Sequence, residues 1–230
     1  MIAVPACRVL QFLLTFSLVL LSPPIADAQT PEANSSVRRA IQATRLRDTE
    51  RISVDGRLDE EAWERATPAA DFIQIDPANG MPATEPTEVR IVFSKDAIFL
   101  GVTCYDSEPD KWLGFQRRRD EFLPADDRFM WTIDTFLDER SGYFFEMNPS
   151  GLMADSLFGI NGDNRAWDGI WDARVRHSEI GWTIEIEIPF RTLNFDPNNV
   201  TPSLVRGRRT ASVTMAFLQP CRRQWERRTT

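Results

Sequence analysis

The eight residues Gly181-Trp182-Thr183-Ile184-Glu185-Ile186-Glu187-Ile188 alternate between apolar and polar without a break. That two-residue period fits a half-buried β-strand and no helix face. It predicts Trp182, Ile184, Ile186 and Ile188 inward and Thr183, Glu185 and Glu187 on a wet face. The pattern recurs: Val89, Ile91 and Phe93 alternate with Glu88 and Arg90, and Ser94-Lys95-Asp96 then turns the chain into Ile98, Leu100, Val102 and Cys104, which reads as a hairpin. Phe129, Trp131 and Ile133 define a further strand, and Tyr143, Phe145 and Met147 another. One stretch breaks the period. Leu58 to Ala66 carries acids in its first turn and places Leu58, Ala62 and Ala66 four residues apart, so a short helix with Trp63 inward is expected. Short strands between Gly, Pro, Asn and Asp predict an all-β chain, an antiparallel β-sandwich of jelly-roll-like form with one short N-terminal helix.

Outside this region the texture changes. Residues 1–28 read as a cleaved secretory signal: Arg8 precedes the apolar run Val9 to Leu21, and Ala26-Asp27-Ala28 offers small residues for cleavage. The run is too short to span a bilayer, which takes about 20 residues. Residues 29–50, polar and without period, read as a linker, and 51–197 as the sandwich. Residues 201–230 hold seven arginines and one acid, against 19 bases and 32 acids in 30–200. We read 198–230 as an atypical basic tail. One reading makes it truncated or frame-shifted sequence that can be removed at little cost; the other gives it a final strand from Ala211 to Leu218.

A formal net charge of -7 speaks against a nucleic-acid surface, which needs clustered Lys and Arg. The lone histidine, His177, excludes sites that take two imidazoles from one chain, and three cysteines exclude a four-cysteine zinc site. Cys104 falls in phase with Ile98, Leu100 and Val102, so a buried free thiol is expected, with a bond to Cys221 as the alternative in an oxidising compartment. Glu185 and Glu187 share a strand face but lack any sign of a cleft, so they read as surface residues rather than a glycosidase pair. Arg117-Arg118-Arg119-Asp120 reads as a salt-bridged loop.

The run Ile52-Ser53-Val54-Asp55-Gly56-Arg57-Leu58-Asp59-Glu60-Glu61-Ala62-Trp63 resembles the opening of carbohydrate-binding module family 9-like domains. Three later stretches extend the resemblance: Thr87 to Arg90 leading to Leu100-Gly101-Val102; Asp126-Asp127 followed by Asp134-Thr135-Phe136; and Trp167-Asp168-Gly169-Ile170-Trp171 before Gly181 to Phe190. The combination is similar to the N-terminal domain of bacterial surface proteins in which such a sandwich precedes an outer-membrane β-barrel. It implies a secreted, periplasmic or cell-surface binding module without catalysis, whose partner is a poly- or oligosaccharide. The alternatives are an assembly or plug domain of a barrel protein and an accessory module of a glycoside hydrolase.

Sugar-binding modules stack aromatic rings on pyranose faces and use amides and carboxylates for the hydroxyls. The loop Asn161 to Trp171 therefore nominates Asn161, Asn164, Trp167, Asp168 and Trp171. The family's two-tryptophan clamp maps nearest to Trp171 and Trp112. Acids at strand ends, Asp106, Asp110, Asp126 and Asp127, suit calcium, which takes six to eight oxygen ligands; the resemblance implies a structural calcium there.

Overall fold

The computed structural model describes residues 41–74, 78–121, 123 and 125–195 in full, and the backbone alone at 200–202, 209–211 and 214–222. The signal-like segment 1–28, most of the linker, Cys7 and Trp225 lie outside the described residues. The strands, in chain order, are β1 Thr44–Arg45, β2 Thr87–Phe93, β3 Ala97–Tyr105, β4 Arg128–Asp134, β5 Gly142–Met147, β6 Met153–Phe158, β7 Asp172–Ser178, β8 Gly181–Pro189, β9 Val200–Pro202, β10 Arg209–Ala211 and β11 Thr214–Arg222. Helix α1 is the single turn and a half Glu61–Arg65.

Two sheets form the sandwich. One has the order β1-β2-β3-β8-β7 and the other β11-β4-β5-β6, while β9 and β10 pair with each other. The crossovers β3 to β4 and β6 to β7 carry the chain between sheets, which gives the jelly-roll-like character. The predicted hairpin is present, with Val89 opposite Val102 and Ile91 opposite Leu100. Its turn is held by the Ser94 hydroxyl, which accepts the Asp96 and Ala97 backbone N–H at 3.0 Å each. The main core lies between the sheets. Val89, Ile91, Leu100, Val102, Ile184, Ile186 and Ile188 from the first sheet meet Phe129, Trp131, Ile133, Tyr143, Phe145 and Met147 from the second.

The outer face of the five-stranded sheet is not wet as the alternation suggests. Val92, Ala97 and Phe99 pack there against Ala62, Trp63, Ala66 and Leu46 in a second buried cluster. Part of the segment read as linker takes part in it: β1 pairs in parallel with β2, Thr44 opposite Val92, and the buried Leu46 follows. Glu185 faces this cluster and is fully buried. Its Oε2 accepts the Asp55 and Gly56 backbone N–H at 2.9 and 3.1 Å, and its Oε1 accepts the Trp63 indole N–H at 3.0 Å. A strand period reports only that a face is polar. A single acid can be covered by a distant segment that brings donors to it, which is why the surface reading of Glu185 fails. Gly101, opposite Glu185, makes the arrangement possible: a Cβ there would lie 2.9 Å from Leu58 and 3.0 Å from the Trp63 ring.

Two further expectations change. Cys104 is disulfide-bonded rather than free; the other cysteines, Cys7 and Cys221, lie outside the residues whose side chains are described. The backbone of β11 pairs antiparallel with β4, Met215 opposite Ile133 and Phe217 opposite Trp131. That is the pairing a final strand requires, so removing the tail would expose the β4 edge.

Candidate functional site

One cleft of about 570 Å³ opens between β7, at the edge of the first sheet, and the β5–β6 turn of the second. Its walls include Trp112, Arg117, Pro149, Met153, Arg174 and His177. The Trp112 and His177 rings stack at 4.6 Å between centroids with 22° between planes. His177 Nε2 lies 2.9 Å from the Pro149 carbonyl oxygen. A carbonyl only accepts, so Nε2 carries the proton and donates it. The β7 register explains the placement: His177 stands opposite the inward Trp182, at the end of the row Ala173, Val175, His177. Trp112 is half-buried, with one ring face spent on the imidazole.

The wall bearing Trp112 and Arg117 is an irregular segment, and buried polar groups fix it. Asn148, without solvent exposure, donates through Nδ2 to the Gln116 carbonyl at 2.8 Å and to Asp126 Oδ2 at 2.7 Å, and accepts the Leu152 N–H at 2.9 Å. Asp126 Oδ2 also accepts the Gln116 N–H at 3.0 Å, and Asp127 Oδ2 accepts the Leu113 N–H at 2.7 Å. These bonds satisfy backbone groups that no sheet serves. Asp126 and Asp127 are thus occupied in holding the cleft wall. Asp106 accepts the Glu108 N–H in a local turn, and Asp110 sits in the 3-10 turn Pro109–Lys111. Among the described residues no three His, Cys, Asp or Glu groups converge on a cation position. The four acids nominated for calcium therefore do not fit a site needing six to eight oxygens.

The loop carrying the two tryptophans divides them. Trp171 is buried, edge-on to Trp131 at 5.8 Å and to Phe145 at 5.2 Å, and belongs to the core. Its indole N–H donates to Asp155 Oδ2 at 2.6 Å. Asp155 projects inward from β6, where it also accepts the Gly169 N–H at 3.1 Å and pairs with Arg119 at 2.5 Å. Burial pushes the Asp155 carboxyl upward against the pull of these donors. Arg119 lies 5.8 Å over the Trp171 ring and reaches Asp168 at 2.9 Å, so Asp168 is an exposed ion-pair partner at the loop's rim. Trp167 is half-buried against Tyr143 at 5.1 Å. Asn164 bridges to Leu157 through its backbone and accepts the Ala166 N–H through Oδ1, while Asn161 is exposed in a turn.

Of the six residues nominated for sugar, Trp112 alone lines the cleft, and Trp171 does not face it as the other half of a clamp. Sequence reasoning missed His177, Arg117, Arg174 and the Pro149–Gly151 turn. The alternation of Asp172 to Ser178 signals that His177 points inward, but nothing in the sequence signals that Trp112, 65 positions earlier, lies against it.

Among solved structures the fold is similar to that of a candidate carbohydrate-binding protein from Bacteroides uniformis, with a TM-score of 0.51 at 14% identity over 65% of this chain and 72% of that one. A family 9 carbohydrate-binding module from Caldicellulosiruptor kristjanssonii aligns at a TM-score of 0.47 in its glucose complex, at 14% identity over 69% of this chain and 73% of that one. Its cellotriose complex aligns at 0.47, at 12% identity over 76% and 82%. The first likeness shows a shared fold. No protein-family model and no curated protein matches the chain.

Proposed function

We propose that the chain is a non-catalytic, extracytoplasmic carbohydrate-binding module that takes a saccharide in the Trp112 cleft. The observation that carries this reading is the pairing of a fixed aromatic surface, Trp112 on His177, with polar groups around an open cleft between the sheets. Aromatic faces favour the apolar face of a sugar ring, and neighbouring donors take its hydroxyls. The sandwich shared with the Bacteroides uniformis protein and the family 9-like motifs support the same reading. A disulfide at Cys104 and the signal-like residues 1–28 support a location outside the cytoplasm; among the described residues no helix is long and apolar enough to cross a membrane.

The test is calorimetric titration of the intact chain and a Trp112→Ala variant against a panel of plant and bacterial oligosaccharides. Binding by the intact chain, weakened at least about tenfold in the variant at an unchanged melting temperature, is the expected result. No binding to any glycan, or binding that survives the loss of Trp112, refutes the assignment.

A further inference from the structure

The cleft's charges are one-sided. Ten residues line it, and its ionisable members are Arg117, Arg174 and His177, with no carboxylate among them. Composition does not produce this, since residues 30–200 carry 32 acids against 19 bases. Arg117 makes no hydrogen bond or ion pair among the described residues. Arg174 is already ion-paired with Asp172 and also donates to the Ala173 carbonyl, and its position opposite Glu185 alternates with the inward row Ala173, Val175 and His177, so its side chain belongs to the other face of β7. Elsewhere in the same loop the arginines are engaged: Arg118 pairs with Glu121 at 2.7 Å and Arg119 with Asp155 and Asp168. The salt-bridged loop anticipated from Arg117 to Asp120 thus holds for Arg118 and Arg119 and leaves Arg117 at the cleft.

We propose that the cleft selects a saccharide bearing a negatively charged group, seated with its ring on Trp112 and its anion against the Arg117 guanidinium group. The inference rests on the carbohydrate-binding reading and narrows its ligand. A guanidinium presents a planar fork that matches a carboxylate or sulfate with two parallel hydrogen bonds, so the anion adds orientation as well as attraction. A neutral sugar would gain the ring contact and leave Arg117 to water. The anion can be a uronate carboxylate or a sulfate ester, since both offer the same acceptor geometry to the fork.

Trigalacturonate, its methyl ester and a sulfated galactose disaccharide separate the cases when titrated into the full chain and into Arg117→Gln. The ester keeps the rings and linkages and removes only the charge. We expect the free acid, the sulfated sugar or both to bind at least about tenfold more tightly than the ester at low salt. That gap should shrink at 0.5 M NaCl, as partly exposed charges are screened, and shrink in Arg117→Gln. Whichever anionic probe shows it identifies the source of the charge. Equal binding of acid, sulfated sugar and ester, dependent on Trp112, overturns this inference and leaves the carbohydrate-binding reading intact. A gap that survives Arg117→Gln and high salt also overturns it, and no binding of any probe or glycan overturns both. Arg117 is exposed and has no partner among the described residues, so an unchanged melting curve for Arg117→Gln separates ligand effects from folding effects.

Discussion

Glu185 offers a measurement in which burial and hydrogen bonding oppose each other. Desolvation raises its carboxyl from the ordinary 4.5 to about 7; the Asp55 and Gly56 N–H and the Trp63 indole pull it down, and nearby Glu60 pushes it up. Between these two pH values the native state holds a proton that the unfolded chain has released. Stability from this group is therefore present below pH 4.5 and lost as the pH rises through about 7. The gap between the two values corresponds to about 3 kcal/mol, or about 6 to 12 °C in melting temperature for a chain of this size. Glu185→Gln removes the titration. Its amide oxygen can serve Asp55 and Gly56, while its NH₂ confronts the Trp63 N–H, at a cost that does not vary with pH. Other titrating groups cancel in the difference between wild type and variant. Urea unfolding of both chains at pH 4.5, 5.5, 6.5 and 8 should show the variant gaining about 3 kcal/mol on the wild type across the range. A difference constant to within about 0.5 kcal/mol would mean that the three N–H donors fully replace water for the carboxylate, and the reasoning fails.

Two further perturbations probe the scaffold around the cleft. Asp155→Ala leaves the Trp171 indole, the Gly169 N–H and one guanidinium arm of Arg119 unpaired and should cost about 2 to 4 kcal/mol in urea unfolding, with Trp171 fluorescence red-shifted; a loss below about 0.5 kcal/mol would show that water takes over these bonds. Deleting residues 202–230 should bare the β4 edge Arg128–Asp134 and raise light scattering below the intact chain's melting temperature, whereas a soluble product with an unchanged midpoint would show that the β11 pairing contributes no protection.

The strands and the inner core were legible because alternation is a local signal and each inward row needs only its own sequence to be seen. Trp131, Trp182 and the Ile184-Ile186-Ile188 row lie where the period puts them. What alternation cannot encode is a second layer. The outer face of β8 is polar in sequence, yet α1 and the segment before it cover Glu185 with donors from more than a hundred residues away. The cleft failed for a related reason. Trp171 and Trp167 attract notice because they lie close together among Asn and Asp, but side chains in an irregular loop can turn to either side, and the Trp171 indole found a buried acceptor in Asp155. Trp112 was nominated through the family's clamp and is at the cleft; its ring partner His177 comes from an edge strand of the other half of the chain. Asp126 and Asp127 read as cation ligands because acids at strand ends serve either metals or backbone N–H groups, and sequence does not distinguish the two.

The residues of the Ile52–Trp63 run lie apart from the cleft. Asp55, Gly56 and Trp63 are hydrogen-bonded to Glu185 on the outer side of the first sheet, with Gly101 in close approach to the Trp63 ring. The cleft is built from an edge strand, a tight turn and one irregular segment. Arg117 takes no part in these hydrogen bonds, so its replacement leaves the Glu185 assembly in place. The same separation suits engineering, since Arg117 can be randomised without touching Glu185 or the donors that hold it.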